Sequence, residues 1–267
     1  ICRCLQYAFV GFYFSSVTPS ASGGQPAQVY YMSRDRIPPG RSSLCFLVIV
    51  VVYQVVMLGY GLLSFLCRPA FVLRHLGGIG VLVALGVAIN LALIILILGL
   101  LLRPQWVRRP CLALLRGLHR LHLVRKVDQW TQALSCQIDE YQAGAAFLRR
   151  HPSVLPKVMG MTILQLGALF AVPYVVYRAF GLSAYGLGDV MTLQAILTIA
   201  VASLPLPGAV GASEGGFLRM FTLLFGPERL MPALLLSRGI SFYGFLMISA
   251  LVTAVVHLTA GRRPVAA

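Results

Sequence analysis

Acidic residues are scarce in this chain, which has seven aspartates and glutamates against 22 lysines and arginines. The net charge of +15 would suit a nucleic-acid partner, but the positive residues lie between apolar runs, where they orient membrane segments and attract anionic lipid head groups. Hydrophobic residues make up 58% of the chain, and its mean hydropathy is +0.84. We therefore expect an integral membrane protein and no bound nucleic acid.

Motifs for disulfides, metals and nucleotides are also missing. The six cysteines show no CxxC spacing, which argues against a disulfide framework and a zinc site. His119 and His122 could share one helix face, but no acidic or cysteine partner is near them, so we expect no metal. There is no Walker-type loop, and we expect no cofactor and no direct use of ATP. The first residue is Ile1 and no signal peptide is visible, so we expect a fragment whose opening helices are missing.

Long apolar segments dominate what is present. An apolar run of about 20 residues is long enough to cross a bilayer as a helix. The sequence predicts an all-α polytopic membrane protein, with one membrane domain over residues 1–267. Four segments meet the length requirement: Ser43–Leu66, Ile79–Leu102, Met159–Phe180 and Met231–Leu258.

The segment 103–157 is the long polar part of the chain, with ten basic residues against three acidic ones. Its leucines recur at helical spacing beside arginines, which suits a basic amphipathic helix on an anionic membrane surface or a solvated cytoplasmic helix pair. Positive loops stay in the cytoplasm, so we place this segment, loop 34–42 and loop 259–267 on that side.

The stretch Ala202–Phe221, which reads ASLPLPGAVGASEGGFLRMF, interrupts an apolar region. Pro205 and Pro207 each lack an amide proton, so the helix that begins near Asp189 should stop near Ser203. That helix would be about 22 Å long against a hydrocarbon core of about 30 Å. We therefore expect a re-entrant hairpin that enters the membrane, breaks and returns.

The residues that follow the prolines suit this reversal. Gly208 and Gly211 permit a tight turn, and Ser213 is expected to cap a new helix whose first turn carries Glu214. Irregular backbone at membrane depth is tolerated only against protein or a wet cavity. The break is therefore the leading candidate for a site.

A second break with similar spacing lies near the start of the chain, and we expect a short helical piece of roughly Ala27–Met32 to follow it. Pro19-Ser-Ala-Ser-Gly23 matches Pro207-Gly-Ala-Val-Gly211, and a long polar side chain follows each, Gln25 in one and Glu214 in the other. Paired broken segments that enter from opposite faces are typical of inverted-repeat transporters with a site near the membrane midplane. Chance similarity between two proline-glycine loops is the alternative.

The two breaks together resemble the signature loops of the lysylphosphatidylglycerol synthase transmembrane region family. The resemblance is carried by Thr18-Pro-Ser-Ala-Ser-Gly-Gly-Gln-Pro26 with Tyr30-Tyr31, by Pro205-Leu-Pro-Gly208 and by Gly211-Ala-Ser-Glu-Gly215. It implies a multi-pass protein of a bacterial cell membrane that moves aminoacylated phosphatidylglycerol between leaflets. Ala209 departs from the family, which often has a second glycine at this position.

The resemblance also leaves two other functions open. The chain could be part of a phosphatidylglycerol lysyltransferase, but no transferase domain follows Leu258 and we expect catalysis to lie outside this chain, in a fused or separate synthase. It could instead be a membrane scaffold for such a synthase.

A lysylated lipid offers both amines and a phosphate, and the charged residues near the second break suit both. Glu214 suits an amine, whereas the helix start at Ser213 and an arginine suit a phosphate. The alternative for Glu214 is a structural ion pair with Arg238 or a helix cap. The predicted lipid path comprises Thr18, Pro19, Ser20, Gly23, Gly24, Gln25, Pro207, Gly208, Gly211, Ser213, Glu214, Arg219 and Arg238.

Overall fold

The structure is a computed structural model that describes residues 2–102, 152–202, 204 and 206–260. His119, His122 and nearly all of the basic segment lie outside these residues. The described residues form helices and connecting turns, with no strand among them. The α-helices are α1 (Cys2–Val17), α2 (Gly24–Arg34), α3 (Pro39–Cys67), α4 (Pro69–Leu76), α5 (Gly80–Leu102), α6 (Val154–Ala179), α7 (Leu187–Ala202), α8 (Ala212–Met220), α9 (Thr222–Arg238) and α10 (Gly244–Ala260).

Four spans in the described part of the chain are long and apolar enough to cross a membrane, which confirms the polytopic prediction. They are Cys45–Cys67, Gly80–Gly99, Val154–Ala179 and Thr222–Thr259. The last span begins nine residues before the predicted Met231. A glycine with positive φ, Gly226, interrupts its first turns, and Pro227 restarts the helix, so the sequence pattern concealed the true start.

The first hairpin comprises α1 and α2, joined by a 3₁₀ turn at Pro19–Ala21. Both of its open ends lie on the same side, because Arg3 at the start pairs with Asp35 at the end at 3.3 Å, and the Tyr7 hydroxyl donates to the same carboxylate. We call this side the first face.

The return helix of the first hairpin is longer than predicted. The predicted piece was Ala27–Met32, but α2 begins at Gly24. Pro26 is thus the third helical residue, a position where the missing amide proton has no partner within the helix in any case. The prediction read this proline as part of a loop.

The second hairpin comprises α7 and α8, joined through a 3₁₀ turn at Pro207–Ala209. Asp189 in the first turn of α7 pairs with Arg68, which follows the last residue of α3. Near the end of α8, Arg219 lies against Gly78, only a few residues beyond α4. Both ends of this hairpin therefore lie at the far end of α3, which we call the second face.

The tips of the two hairpins lie against each other between the two faces. Their backbones match before the proline and at the alanine, and diverge afterwards, where Gly23 has a φ of −81° and Gly211 one of 85°. Thr18 and Leu206 precede the prolines with the same φ of −104°, and Ala21 and Ala209 follow with left-handed φ values of 54° and 52°. The similarity of the two breaks is therefore one of backbone geometry as well as sequence, and the two hairpins enter from opposite faces.

The half-helix α7 is buried along most of its length. The residues Val190, Leu193 and Ala195 have no exposed surface, and α3, α5, α6 and α8 all pack against this helix. At the return, the rings of Phe217 and Phe221 stack at 4.2 Å with 8° between their planes. The arms of the second hairpin are therefore buried in protein, whereas the turn between them is exposed at Leu206 and Val210.

Candidate functional site

A charged pair joins the second hairpin to the last span. The Arg238 Nε donates to Glu214 Oε1 at 2.7 Å, while the Gly211 amide donates to Glu214 Oε2 at 2.5 Å. A third bond runs from Arg238 Nη2 to the carbonyl of Gly208 at 3.3 Å. The side chains are only 16% and 22% exposed, for Arg238 and Glu214 respectively. The carboxylate therefore serves at once as ion-pair partner and helix cap, the two structural roles considered for it.

The start of α8 differs from the prediction at one residue. Gly211, with a φ of 85°, is the N-cap, and Ser213 is already the second helical residue without a capping bond. The predicted Ser213 cap is therefore wrong. Only glycine adopts this φ without strain, and Glu214 reaches back to the Gly211 amide in place of a capping hydroxyl. The Ser213 side chain is free to line the cavity described below.

The aromatic ring of Phe242 completes the surroundings of the arginine. The guanidinium carbon of Arg238 lies 4.8 Å from the ring centroid, a cation–π distance. The ring sits in a π-helical turn, Gly239–Tyr243, and a Cβ on Gly208 would collide with it. The glycine turn, the arginine and the ring therefore fix one another, and π-helical turns are frequent at functional sites.

A cavity of about 400 Å³ opens beside this pair, under the tips of the hairpins. It is lined by Phe12, Tyr53, Gln54, Leu169, Pro173, Gln194, Leu197, Thr198, Val201, Ala202, Gly208, Ala209, Ser213, Phe217, Ser237, Arg238, Ser241 and Phe242. Of the described residues that line it, Arg238 is the one with a charge. Gln54 Oε1 and Ser237 Oγ are buried there without a hydrogen-bond partner in the described part of the chain, and Ser237 is only 4% exposed.

Part of the predicted lipid path lies around this cavity. The predicted residues that line the cavity or hold Arg238 are Gly208, Gly211, Ser213, Glu214 and Arg238. Pro207 lies in the turn above them, and Pro19 and Ser20 lie in the turn of the first hairpin, which touches it. These residues belong to one region of the molecule.

Other predicted residues have structural partners elsewhere. The Thr18 hydroxyl accepts a hydrogen bond from the Gly23 amide and so closes the first turn. Gly24 packs against α1, where a Cβ would come within 2.8 Å of the Gly11 carbonyl oxygen. Arg219 points to the second face, away from the cavity.

Gln25 lies in a separate groove of about 540 Å³ between α2, α3 and α5. The groove is mostly apolar, with Val29, Phe46 and Ile97 among its walls. Gln25 therefore does not correspond to Glu214 in position, although both follow a broken turn. The two hairpins have similar turns, but the polar side chains that follow these turns lie in different surroundings.

Five polar residues of the cavity were not predicted: Gln54, Gln194, Thr198, Ser237 and Ser241. They are uncharged polar residues within largely apolar membrane segments, and the prediction did not include them. A signal existed, since Gln194 with Thr198 and Ser237 with Ser241 are spaced four apart and so share a helix face. Polar residues within membrane helices usually face protein or water.

The residues described do not include a group of three side chains suited to hold a metal ion. What the arrangement offers instead is a guanidinium, several hydroxyls and amides, and a ring, enclosed by apolar helices. It defines a polytopic membrane protein in which two half-membrane hairpins meet over a polar cavity.

The chain belongs to the lysylphosphatidylglycerol synthase TM region family, whose model matches residues 1–249. The match covers both hairpins and most of the last span, and it confirms the resemblance seen in the two loops. The family identifies a membrane domain linked to lipid handling. Comparison with curated proteins and with solved structures gave no significant match.

Proposed function

We propose that this domain moves the head group of phosphatidylglycerol, free or aminoacylated, across the bilayer. A head group must be dehydrated to enter the apolar core, and its polar atoms then need new partners. Broken helices and the polar cavity between them supply such partners in transporters.

The observation that carries the proposal is the position of Arg238. Its guanidinium lies inside a membrane span, lines a cavity of about 400 Å³ and is held in place by Glu214. A phosphodiester is the anionic group of a phospholipid, and guanidinium binds phosphate oxygens with charge-assisted hydrogen bonds. The arginine is thus suited to hold a head group halfway across.

The hairpins supply the two halves of the route. One opens toward the first face and the other toward the second, and each half-helix arm of 16 residues is about 24 Å long. With the tips in contact above the cavity, a head group that enters along either hairpin arrives at the same polar residues.

The proposal is tested with the purified chain in liposomes that contain fluorescent lysylphosphatidylglycerol. Reduction of outer-leaflet fluorophores reports how fast inner-leaflet lipid arrives. We expect arrival well above protein-free liposomes, and a loss of about tenfold for Arg238→Gln, because tenfold corresponds to one charged hydrogen bond of about 1.4 kcal/mol.

Arg229→Gln is the matched control, since Arg229 is an exposed arginine on the same helix, outside the cavity. It should translocate lipid like the unmodified chain. Gln54→Leu removes an unpaired cavity acceptor and should slow transport without exposing a new polar group. Arrival equal to protein-free liposomes, in a chain that is folded and inserted, would contradict the proposal.

A further inference from the structure

We infer that the cavity recognises its lipid through the phosphodiester and makes no specific contact with the amine of an attached amino acid. The ligand class is a phospholipid with a phosphodiester in its head group, aminoacylated or not. This inference rests on the proposed function for its biological meaning, but it is a statement about binding and can be tested by itself.

The first ground is the state of Glu214, the residue expected to bind an amine. Its Oε1 accepts from Arg238 Nε and its Oε2 accepts from the Gly211 amide, so both oxygens already have partners. Its side chain does not line the cavity among the residues described. An ammonium group held in the cavity would therefore face the Arg238 guanidinium, which lines the cavity, and not the carboxylate.

The second ground is the number of donors that Arg238 retains. A guanidinium carries five N–H groups, of which one binds Glu214 and one binds the Gly208 carbonyl. About three therefore have no acceptor in the described part of the chain. The arginine faces the cavity, so these donors are available to a group with several acceptor oxygens, and a phosphodiester has such oxygens.

The third ground is the chemistry of the other lining groups. They are hydroxyls and amides; the unpaired Ser237 hydroxyl can donate to a phosphate oxygen, whereas the unpaired Gln54 Oε1 can only accept, for example from a glycerol hydroxyl. The Thr198 and Ser241 hydroxyls already donate to backbone carbonyls, so the serine and threonine donors left for a phosphate among the described lining residues are those of Ser213 and Ser237. No carboxylate lies among the described lining residues that would favour the cationic lysylated head group over the anionic unmodified one.

Ser237 gives the most specific of these contacts. It is 4% exposed, its Oγ has no partner in the described residues, and it precedes Arg238 in the same helix. A buried hydroxyl without a partner is uncommon in native proteins. A phosphate held by Arg238 would provide the missing partner.

The test measures binding of three short-chain lipids to the full chain in detergent by titration calorimetry. The probes are dihexanoyl phosphatidylglycerol, its lysyl ester, and a dihexanoyl glucosyl glycerol that has no phosphate. We expect the first two to bind within about threefold of each other, and the glycolipid to bind about tenfold or more weakly, because it lacks the charge-assisted bonds.

Variants assign the contact to residues. Arg238→Gln should weaken both phospholipids about tenfold and leave the glycolipid within about twofold. Ser237→Ala leaves no new unpaired group and is therefore expected to fold, and it should weaken both phospholipids about threefold. Arg229→Gln should change none of the three affinities.

A preference for the lysyl ester of about tenfold or more, lost in Glu214→Gln, would overturn the inference in favour of amine recognition. Equal binding of all three lipids, or no binding, would also overturn it. Phosphate-dependent binding without translocation in liposomes would leave the inference standing and contradict the proposed transport, so the two failures are distinguishable.

Discussion

The two hairpins have similar turns, but different interactions stabilise each turn. In both, a proline opens a 3₁₀ turn and an alanine with φ near 50° closes it. The first hairpin is then fixed by close helix packing, with Gly24 against Gly11, and by the Thr18 hydroxyl. The second is fixed by the pair of Glu214 and Arg238.

This difference shows that similar backbone geometry can serve distinct ends. The first hairpin uses small residues to bring two arms together, which leaves little room for a ligand between them. The second spreads its arms around a cavity and introduces the charged pair there. Of the two hairpins, the second therefore carries polar groups of the site, together with the last span, and the first contributes Phe12 to its wall.

The largest expected effect concerns the opposite orientation of the two hairpins. In a background without native cysteines, Ser33→Cys near the end of the first hairpin and Ser183→Cys just before the second should be labelled by an impermeant thiol reagent from opposite sides of the membrane. Both serines are exposed. With the positive first face in the cytoplasm, only position 183 should react in intact cells.

Lysed cells are the control, in which both cysteines should react. Labelling of both from one side in intact cells would contradict the inverted arrangement.

The next effect concerns the pair that distinguishes the second hairpin. Glu214→Gln or Arg238→Gln alone should lower the free energy of unfolding by about 3 kcal/mol, at the low end for buried pairs because both side chains keep some exposure. The double variant should recover much of that loss. Unfolding in mixed detergent micelles measures all three, and additive losses in the double variant would show that the pair is not coupled.

Those two variants also sharpen the functional question for Glu214. If Glu214→Gln abolishes transport of lysylphosphatidylglycerol in a protein of unchanged stability, recognition of the amine is supported over the structural role. Transport that returns in the double variant would favour the structural role.

Those features of the fold and the candidate site that depend on residues close together in the sequence could be predicted from the sequence. The spans and the hairpin at Pro207 follow from apolar run length and from proline chemistry, which are local. The two structural contacts considered for Glu214, the pair with Arg238 and the helix cap, are both present, while recognition of an amine by Glu214 stays a prediction.

Other features depend on tertiary position. Gln54 faces the cavity, whereas Gln25 faces a separate groove. These positions depend on which helices pack together, and the neighbouring residues in the sequence do not indicate them. The same holds for the π-helical turn at Gly239–Tyr243, because an i to i+5 bond has no strong sequence signal.

A smaller effect on stability should distinguish how tightly the two return helices, α2 and α8, are packed. Gly24→Ala should destabilise the protein by about 2 kcal/mol, because its Cβ would meet the Gly11 carbonyl, which is backbone and cannot move aside. Gly215→Ala is the matched change in α8, where nothing lies within 4 Å of the added carbon. It should be neutral or stabilise by up to about 1 kcal/mol. Equal effects would show that the hairpins are packed alike.

The ion pairs at the open ends should differ more modestly. Asp189→Asn should cost about 1 kcal/mol, since the carboxylate is 10% exposed and also accepts from the Gly186 amide. Arg3→Gln should cost about 0.5 kcal/mol or less, because Arg3 is well exposed and the pair is screened. Thermal unfolding of both variants should be measured at low and at high salt. High salt should reduce only the loss of stability caused by Arg3→Gln.

The smallest effect tests the shared turn itself. Ala21→Gly and Ala209→Gly should each stabilise the protein by about 0.5 kcal/mol, because glycine relieves the left-handed strain at some cost in chain entropy. Equal shifts in melting temperature would support equivalent turns, and a loss of stability at either position would indicate that the methyl group packs there. Ala27→Gly, inside α2, is the control and should destabilise.

The long helix α3 connects the ends at which the two hairpins open. It runs without interruption for 29 residues, about 43 Å, and carries the end of the first hairpin at one extremity and Arg68, the partner of the second hairpin, at the other. Its midpoint falls at Tyr53 and Gln54, which line the cavity. A stiff rod that tilts about its centre moves its ends in opposite directions and its centre hardly at all. A rigid tilt of α3 about its centre would therefore move the two openings in opposite directions and leave Tyr53 and Gln54 nearly in place.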